Sequence, residues 1–263
     1  MTSKLHLPKE LQNFESTIRS TAEPFIKIIP QKAADTDWWQ SKIGGNPYLP
    51  KNATYPVDLE GNQLLFLAQI NFEETPSLPP FPNEGILQFF IFDDPFYGSE
   101  LNDPFSQDGF RVVYYKNPVT DEGRLVTDFS FLRNFMRDPI DSKVSYPLNF
   151  QLDEEFVPTA DHNFDKLLGQ DFFYQFGEKE WELWEDYNQK IRSSGHKLGG
   201  YAHFTQEDPR YNQLSPLQLL FQLDSDDNIK CTWGDLGVAN FFIDPQNLQR
   251  QDFSRVYYNW DSP

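Results

Sequence analysis

Four segments of this chain recur in the same order, and that recurrence limits the folds open to it. "KIGG" at 42–45 returns as "KLGG" at 197–200, and "LLFLAQIN" at 64–71 returns as "LQLLFQLD" at 217–224. "GILQFFI" at 85–91 returns as "GVANFFI" at 237–243, and "FRVVYY" at 110–115 as "FSRVYY" at 253–258. The spacing stays nearly constant until "DDPFYGSELNDPFSQDG", an acidic stretch of the first half, lengthens one connection. Single matches of this length carry little weight, but an ordered set points to two copies of one unit.

The repeated segments have the character of strands. Leu64, Phe66, Ala68 and Ile70 alternate as one apolar face, and Leu217, Leu219, Phe221 and Leu223 do the same. Gln69 and Gln222 then take the same place on the opposite face. Gly44, Gly45, Gly199 and Gly200 suit backbone with positive φ or close approach, not phosphate binding, because no strand-to-helix phosphate pattern follows them. The expected fold class is α+β and β-rich: an internal duplication of a multi-stranded unit, helices inserted between the two copies, and one N-terminal helix.

The expected organisation is a single compact domain of two pseudo-repeats. Residues 1–35 supply the N-terminal helix and an edge strand, 36–120 the first repeat, 121–194 a helical insertion, and 195–263 the second repeat. Leu11, Phe14, Ile18 and Ala22 fall at helical spacing behind Pro8. "PFIKIIP" at 24–30, bracketed by prolines, reads as the edge strand. Further helices are expected over 128–137, 163–168 and 178–191. In the last, Trp181, Trp184, Tyr187 and Ile191 form an aromatic stripe expected to face the core.

Composition then excludes several classes of function. With 25 Phe, 12 Tyr and 6 Trp among 263 residues, a large core is available. The start "MTSKLHLPKELQNF" has no apolar stretch of signal-peptide length, and no apolar run is long enough to span a bilayer, so a cytoplasmic protein without membrane association is expected. A single cysteine, Cys231, rules out an intramolecular disulfide and any zinc site built on paired cysteines. A net charge of −18 disfavours nucleic acid and suits a basic protein partner.

"SKIGGNPYLP", "FLAQINF", "GILQFFI", "GHKLGGYAHFTQ", "LLFQLDSDD", "WGDLGVANFFI" and "YNWD" together resemble the YwqG-type bacterial family of unknown function, over nearly the whole chain. The resemblance implies a compact bacterial cytoplasmic α+β protein with an internal duplication. It brings no catalytic or binding residues with it. A role suggested for some members of such families, immunity against secreted toxins, would agree with the acidic charge.

Three functional readings follow from the residues. The leading one is a non-enzymatic binding protein with a cleft between the halves, rimmed by exposed Tyr201, Trp233 and Trp260. A second is a Ca²⁺ or Mg²⁺ site, because Asp224, Asp226, Asn228 and Asp235 fall at positions 1, 3, 5 and 12 of a calcium-loop template. Ile229 stands where that template wants Gly, and a plain hairpin turn joining two strands is the competing reading. A third is a hydrolase in the same cleft, with His196 and Asp208 as candidate base and acid. No Walker loop, G-x-S-x-G elbow or H-E-x-x-H motif is present. Cys231 reads as a half-buried hairpin residue. No cofactor beyond the optional divalent cation is expected.

Overall fold

The computed structural model describes residues 5–100, 102–137, 139–213 and 216–263. Ten strands form one antiparallel, nearly closed sheet: β1 (Glu23–Pro30), β2 (Lys42–Ile43), β3 (Leu65–Asn71), β4 (Ile86–Ile91), β5 (Phe110–Tyr115), β6 (Tyr146–Glu155), β7 (Lys197–Gly199), β8 (Gln218–Asp224), β9 (Val238–Ile243) and β10 (Val256–Asp261). Their order across the sheet is β10-β9-β8-β7-β1-β6-β2-β3-β4-β5. The recurring segments therefore form two four-stranded wings, β2 to β5 and β7 to β10, on either side of a central β1–β6 pair.

The concave face of this sheet holds the main core. Phe89 of one wing stacks on Phe221 of the other at 4.4 Å, and Phe110 lies 5.1 Å from Tyr258. Phe89 also lies 4.9 Å from Phe241, its counterpart in the repeat, so aromatic residues of the two wings meet in the middle, which curls the sheet towards closure. The open edges are covered by the acidic stretch 93–109. Tyr258 donates its N–H to the Pro104 carbonyl at 2.9 Å, and Trp260 Nε1 donates to Phe96 O at 2.6 Å. The inserted length occupies strand-edge donors that would otherwise be free to template another chain.

Both wings carry the same irregularity. Register shifts between Phe66 and Ala68 against β4, and between Leu219 and Phe221 against β9. Each bulge interrupts the alternation read from the sequence. Leu64 and Phe66 join one satellite cluster and Leu217 and Leu219 another, whereas Leu65, Leu67, Ala68 and Ile70 share the main core with Leu220, Phe221 and Leu223. The expected single apolar faces are therefore split between the two sides of the sheet. Both sides are buried, so no polar residue marks the switch.

The wings also share a network behind the sheet. Gln69 Oε1 accepts the Tyr48 N–H at 2.8 Å while its Nε2 donates to Trp38 O at 2.8 Å and Gln40 O at 2.7 Å. Gln222 Oε1 accepts the His203 N–H at 2.7 Å while its Nε2 donates to Ser193 O and Gly195 O, both at 2.8 Å. Gln88 and Asn240 complete the pattern by donating to the Tyr48 and His203 carbonyls at 2.7 and 2.8 Å. Each buried amide satisfies backbone groups of two loops that no strand pairs.

Three expectations need correction. β1 is a central strand, paired with β6 and β7, not an edge strand. Its prolines fall at position 24, beside its start, and at its last residue, so no ladder donor is missed in the middle. Residues 128–137 form turns, not a helix. Asp128 accepts the Ser130 N–H, and Arg133 is drawn to Asp93 and the Gln63 carbonyl. The segment 121–194 holds not only helices but β6, the longest strand.

Helices cover one outer flank. A 3₁₀ turn over Lys9–Phe14 leads into α1 (Glu15–Arg19), and α2 (Phe164–Leu168) and α3 (Glu180–Lys190) lie between β6 and β7. They pack Leu11, Ile18, Phe164, Leu183, Tyr187 and Ile191 into a second cluster with Phe156, Val157, Phe172 and Phe173. The final helix, α4 (Pro245–Gln249), starts at Asp244, whose side chain accepts the Gln246 N–H. Among the described residues no helix is long and apolar enough to cross a membrane.

Candidate functional site

His196 and Asp208 do not meet. His196 lies under the turn into β7 and is 6% exposed. Its Nδ1 accepts the Asp224 N–H at 3.1 Å, so the ring proton sits on Nε2, which faces Asp226 Oδ2 at 3.2 Å. Burial pushes its pKa below the usual imidazole value and keeps the ring neutral. Both nitrogens are therefore spent on positioning the β8–β9 hairpin. Asp208 caps the 3₁₀ turn Pro209–Asn212, where Arg210 grips both its oxygens at 2.9 and 2.7 Å.

The three aromatic residues expected on a cleft rim are not exposed there. Trp233 is fully buried, edge-on to Tyr97 at 5.2 Å. Tyr201 is 8% exposed, and its hydroxyl donates to the Thr21 carbonyl at 2.7 Å. Trp260 is half-buried and tied to Phe96 as described above. Tyr97 of the acidic stretch packs against Trp233 and Trp260, and Tyr201 packs into the cluster under the helices.

The stretch 224–235 forms the connection between β8 and β9. Asp226 Oδ1 accepts from both the backbone and side-chain nitrogens of Asn228 at 2.8 Å, and the Asp226–Cys231 bridge closes the turn. Asp224 Oδ2 accepts the Gly195 N–H at 2.7 Å, and Asp235 is exposed at the far end of the loop. Asp226 thus holds its own turn through Asn228, and Asp224 and Asp226 tie the hairpin to Gly195 and His196 of the turn into β7. Cys231 is fully buried, and burial pushes its thiol well above the usual range.

Among the described residues, the ligand-type side chains that do converge are Asp161, His162 and Asp208, with their ligating atoms within 4.8 Å of one another. Arg210 Nη2 stands 2.8 Å from Asp161 Oδ2 and 2.7 Å from Asp208 Oδ2. The guanidinium already supplies the positive charge a metal would bring, so the cluster is a buried ion network. Asp161 and Asp208 are distant in sequence, and no spacing rule would have joined them.

A cavity of about 730 Å³ lies where residues 129–135 and 140–143 meet the β8–β9 hairpin. Thr232 donates to the Pro139 carbonyl at 2.7 Å and holds the two together. Tyr55, Phe66, Phe129 and Phe135 give it an aromatic wall. Arg133 also lines it, but its guanidinium is bound to Asp93 and the Gln63 carbonyl and lies 4.7 Å from the Phe135 ring. Asn46, Asn134, Lys143 and Lys230 line the cavity too, and their side chains have no hydrogen-bond or ion-pair partner among the described residues. Two amides and two ammonium groups beside an aromatic wall can hold a small molecule that has an apolar body and negatively charged or acceptor groups. Sequence reading missed this site because its lining comes from five separated segments, one of them in β3, with no motif.

A nearly closed antiparallel sheet with a cavity beside the β8–β9 hairpin defines a β-rich domain. The sequence profile described as Domain of unknown function (DUF1963) matches residues 41–262, and the chain belongs to that family. No curated protein sequence matches it.

Proposed function

We propose that this chain is a non-enzymatic binding protein that holds a small anionic ligand in the cleft between the 128–143 segment and the β8–β9 hairpin. The observation that carries this reading is the set of four polar side chains, Asn46, Asn134, Lys143 and Lys230, without partners among the described residues, around an aromatic-walled cavity in a chain of net charge −18. The Lys143 and Lys230 ammonium groups concentrate anions at that place. The engagement of both His196 nitrogens supports a binding role over a hydrolytic one. The matched wings, with shared bulges and glutamine brackets, support an ancestral internal duplication. The repeat motifs support a bacterial, cytoplasmic, YwqG-like member.

The test is a thermal-shift panel of small carboxylates, phosphates and sulfonates on the wild type and on Lys143→Glu/Lys230→Glu. A ligand at 100 times its Kd should add about 2.7 kcal/mol, a rise of roughly 5 to 10 °C for a chain of this size. The rise should vanish in the double variant, and the ligand should be recovered chemically unchanged. Ligand turnover, or an equal rise in both proteins, would overturn the proposal.

A further inference from the structure

The acidic flank of the molecule carries a feature the cleft does not use. Helix α3 buries Leu183 and Tyr187, but Trp181 is 65% exposed and Trp184 is 37% exposed. Their rings stack on each other, with centroids 4.9 Å apart and planes 19° apart. The aromatic stripe expected to face the core is therefore divided, its two tryptophans outside and Tyr187 and Ile191 inside. Tryptophan is among the residues with most to gain from burial, and two of them held together on a solvent face form a ready contact area.

The charge around this pair is one-sided. Glu178, Glu180, Glu182, Glu185 and Asp186 lie within nine residues, and none forms an ion pair among the described residues. The single lysine of that stretch, Lys179, is already paired with Glu10. On the helix surface Glu185 lies one turn beyond Trp181, and Glu180 one turn before Trp184. Unpaired carboxylates beside exposed indole faces present the two groups that attract a guanidinium or ammonium: a counter-charge and a π surface.

We infer that the outer face of α3 is a docking surface for a basic protein segment, whose arginine or lysine side chains lie over the Trp181–Trp184 pair and between Glu178, Glu182 and Glu185. Charge complementarity selects this occupant. A second copy of the same chain would bring five like charges against these five, and an anionic lipid surface would be repelled in the same way. The tryptophans supply the buried anchors and the carboxylates steer the approach and fix its sign. The surface lies apart from the cleft and stands or falls independently of it.

The experiment measures binding of fluorescein-labelled nona-arginine and nona-lysine peptides to the full chain by anisotropy, at low salt and at physiological salt. Three variants are compared after a melting curve confirms each is folded: Trp181→Ala/Trp184→Ala, Glu182→Lys/Glu185→Lys, and the control Glu60→Lys/Glu122→Lys, which changes net charge equally at exposed sites elsewhere. The first two should bind at least about tenfold more weakly than wild type, the loss expected for an anchoring tryptophan or a reversed contact charge. The control should stay within about threefold, a purely long-range effect. An equal loss in both charge variants would reduce the effect to net charge and overturn the proposal. So would unchanged binding by the tryptophan variant. A dimer seen by light scattering in the wild type and lost in the tryptophan variant would also overturn it, assigning the face to self-association.

Discussion

Lys42 and Lys197 occupy the same place in the two wings, each opening a Lys-apolar-Gly-Gly turn and each about 1% exposed, yet their surroundings differ. Lys197 Nζ meets both oxygens of Glu155 at 2.7 and 2.8 Å, and Glu155 also accepts the Tyr201 N–H. Burial pulls the lysine down and pushes the carboxyl up, so each needs the other. Lys42 Nζ has only the Thr36 hydroxyl at 3.2 Å, the Asp37 carbonyl at 3.3 Å and the Trp38 ring at 5.9 Å. Among the described residues no carboxylate lies within ion-pair distance of it. Burial lowers its pKa to about 8, partly offset by Asp37 and Glu74. The difference comes from the central pair: Glu155 ends β6, while β1 stops at Pro30 and gives way to an irregular segment. Matched sequence thus placed two lysines alike, and an unmatched neighbour decided which one is neutralised.

Substitutions break this comparison most sharply at the paired end. Lys197→Met should leave Glu155 buried against a single N–H and destabilise the fold by about 3–5 kcal/mol. That corresponds to a fall of roughly 10 °C in melting temperature, read by circular dichroism. A smaller loss, under about 1 kcal/mol, would mean the ion pair is not formed.

The glutamine brackets sharpen the comparison in the opposite sense, because here the ends should agree. Gln69→Leu and Gln222→Leu each strand one buried N–H and two carbonyls, so each should cost about 2–3 kcal/mol by urea denaturation. Values differing by more than about 1 kcal/mol would show that the wings use their brackets differently.

Lys42→Met should act in the reverse direction to Lys197→Met and raise stability at pH 7 by about 1–2 kcal/mol. The sign follows from linkage. With a folded pKa of about 8 below the usual lysine value, the unfolded chain binds more protons between those two values, so wild-type stability rises with pH across that window. Below pH 8 the amine is charged in both states and its desolvation cost is fully present. The variant should lose that rise, which thermal melts at pH 7 and pH 10 would reveal. A destabilised Lys42→Met would show that the Thr36 and Asp37 contacts outweigh the desolvation.

Much of the strand framework was legible because it is written locally. "QFFI" and "NFFI" are short apolar runs, and they became the fully buried β4 and β9. Gly44, Gly45, Gly199 and Gly200 all have the expected positive φ, and a Cβ on Gly200 would collide with the Glu155 carboxylate. β6 was missed although Tyr146, Leu148, Phe150 and Leu152 alternate with Pro147, Asn149, Gln151 and Asp153. It has no counterpart in the repeat, and the helical reading of its neighbours absorbed it. The candidate site was scarcely legible. His196 and Trp233 were singled out for their chemistry, and both proved to be packed into the fold.

By itself the sequence determined that the recurring segments become strands, where backbone must turn through positive φ, and that a large aromatic core would close over them. These depend on side-chain character and spacing along a few neighbouring residues. Only the tertiary structure decided that β1 would be central, that one bulge in each wing would split its apolar face, and that Lys197 would find Glu155 while Lys42 found no carboxylate among the described residues. It also decided that Trp181 and Trp184 would face water and that five separated segments would meet around one cavity. Those outcomes depend on contacts between residues far apart in the chain, where the energy lies in burial and pairing that no local pattern encodes.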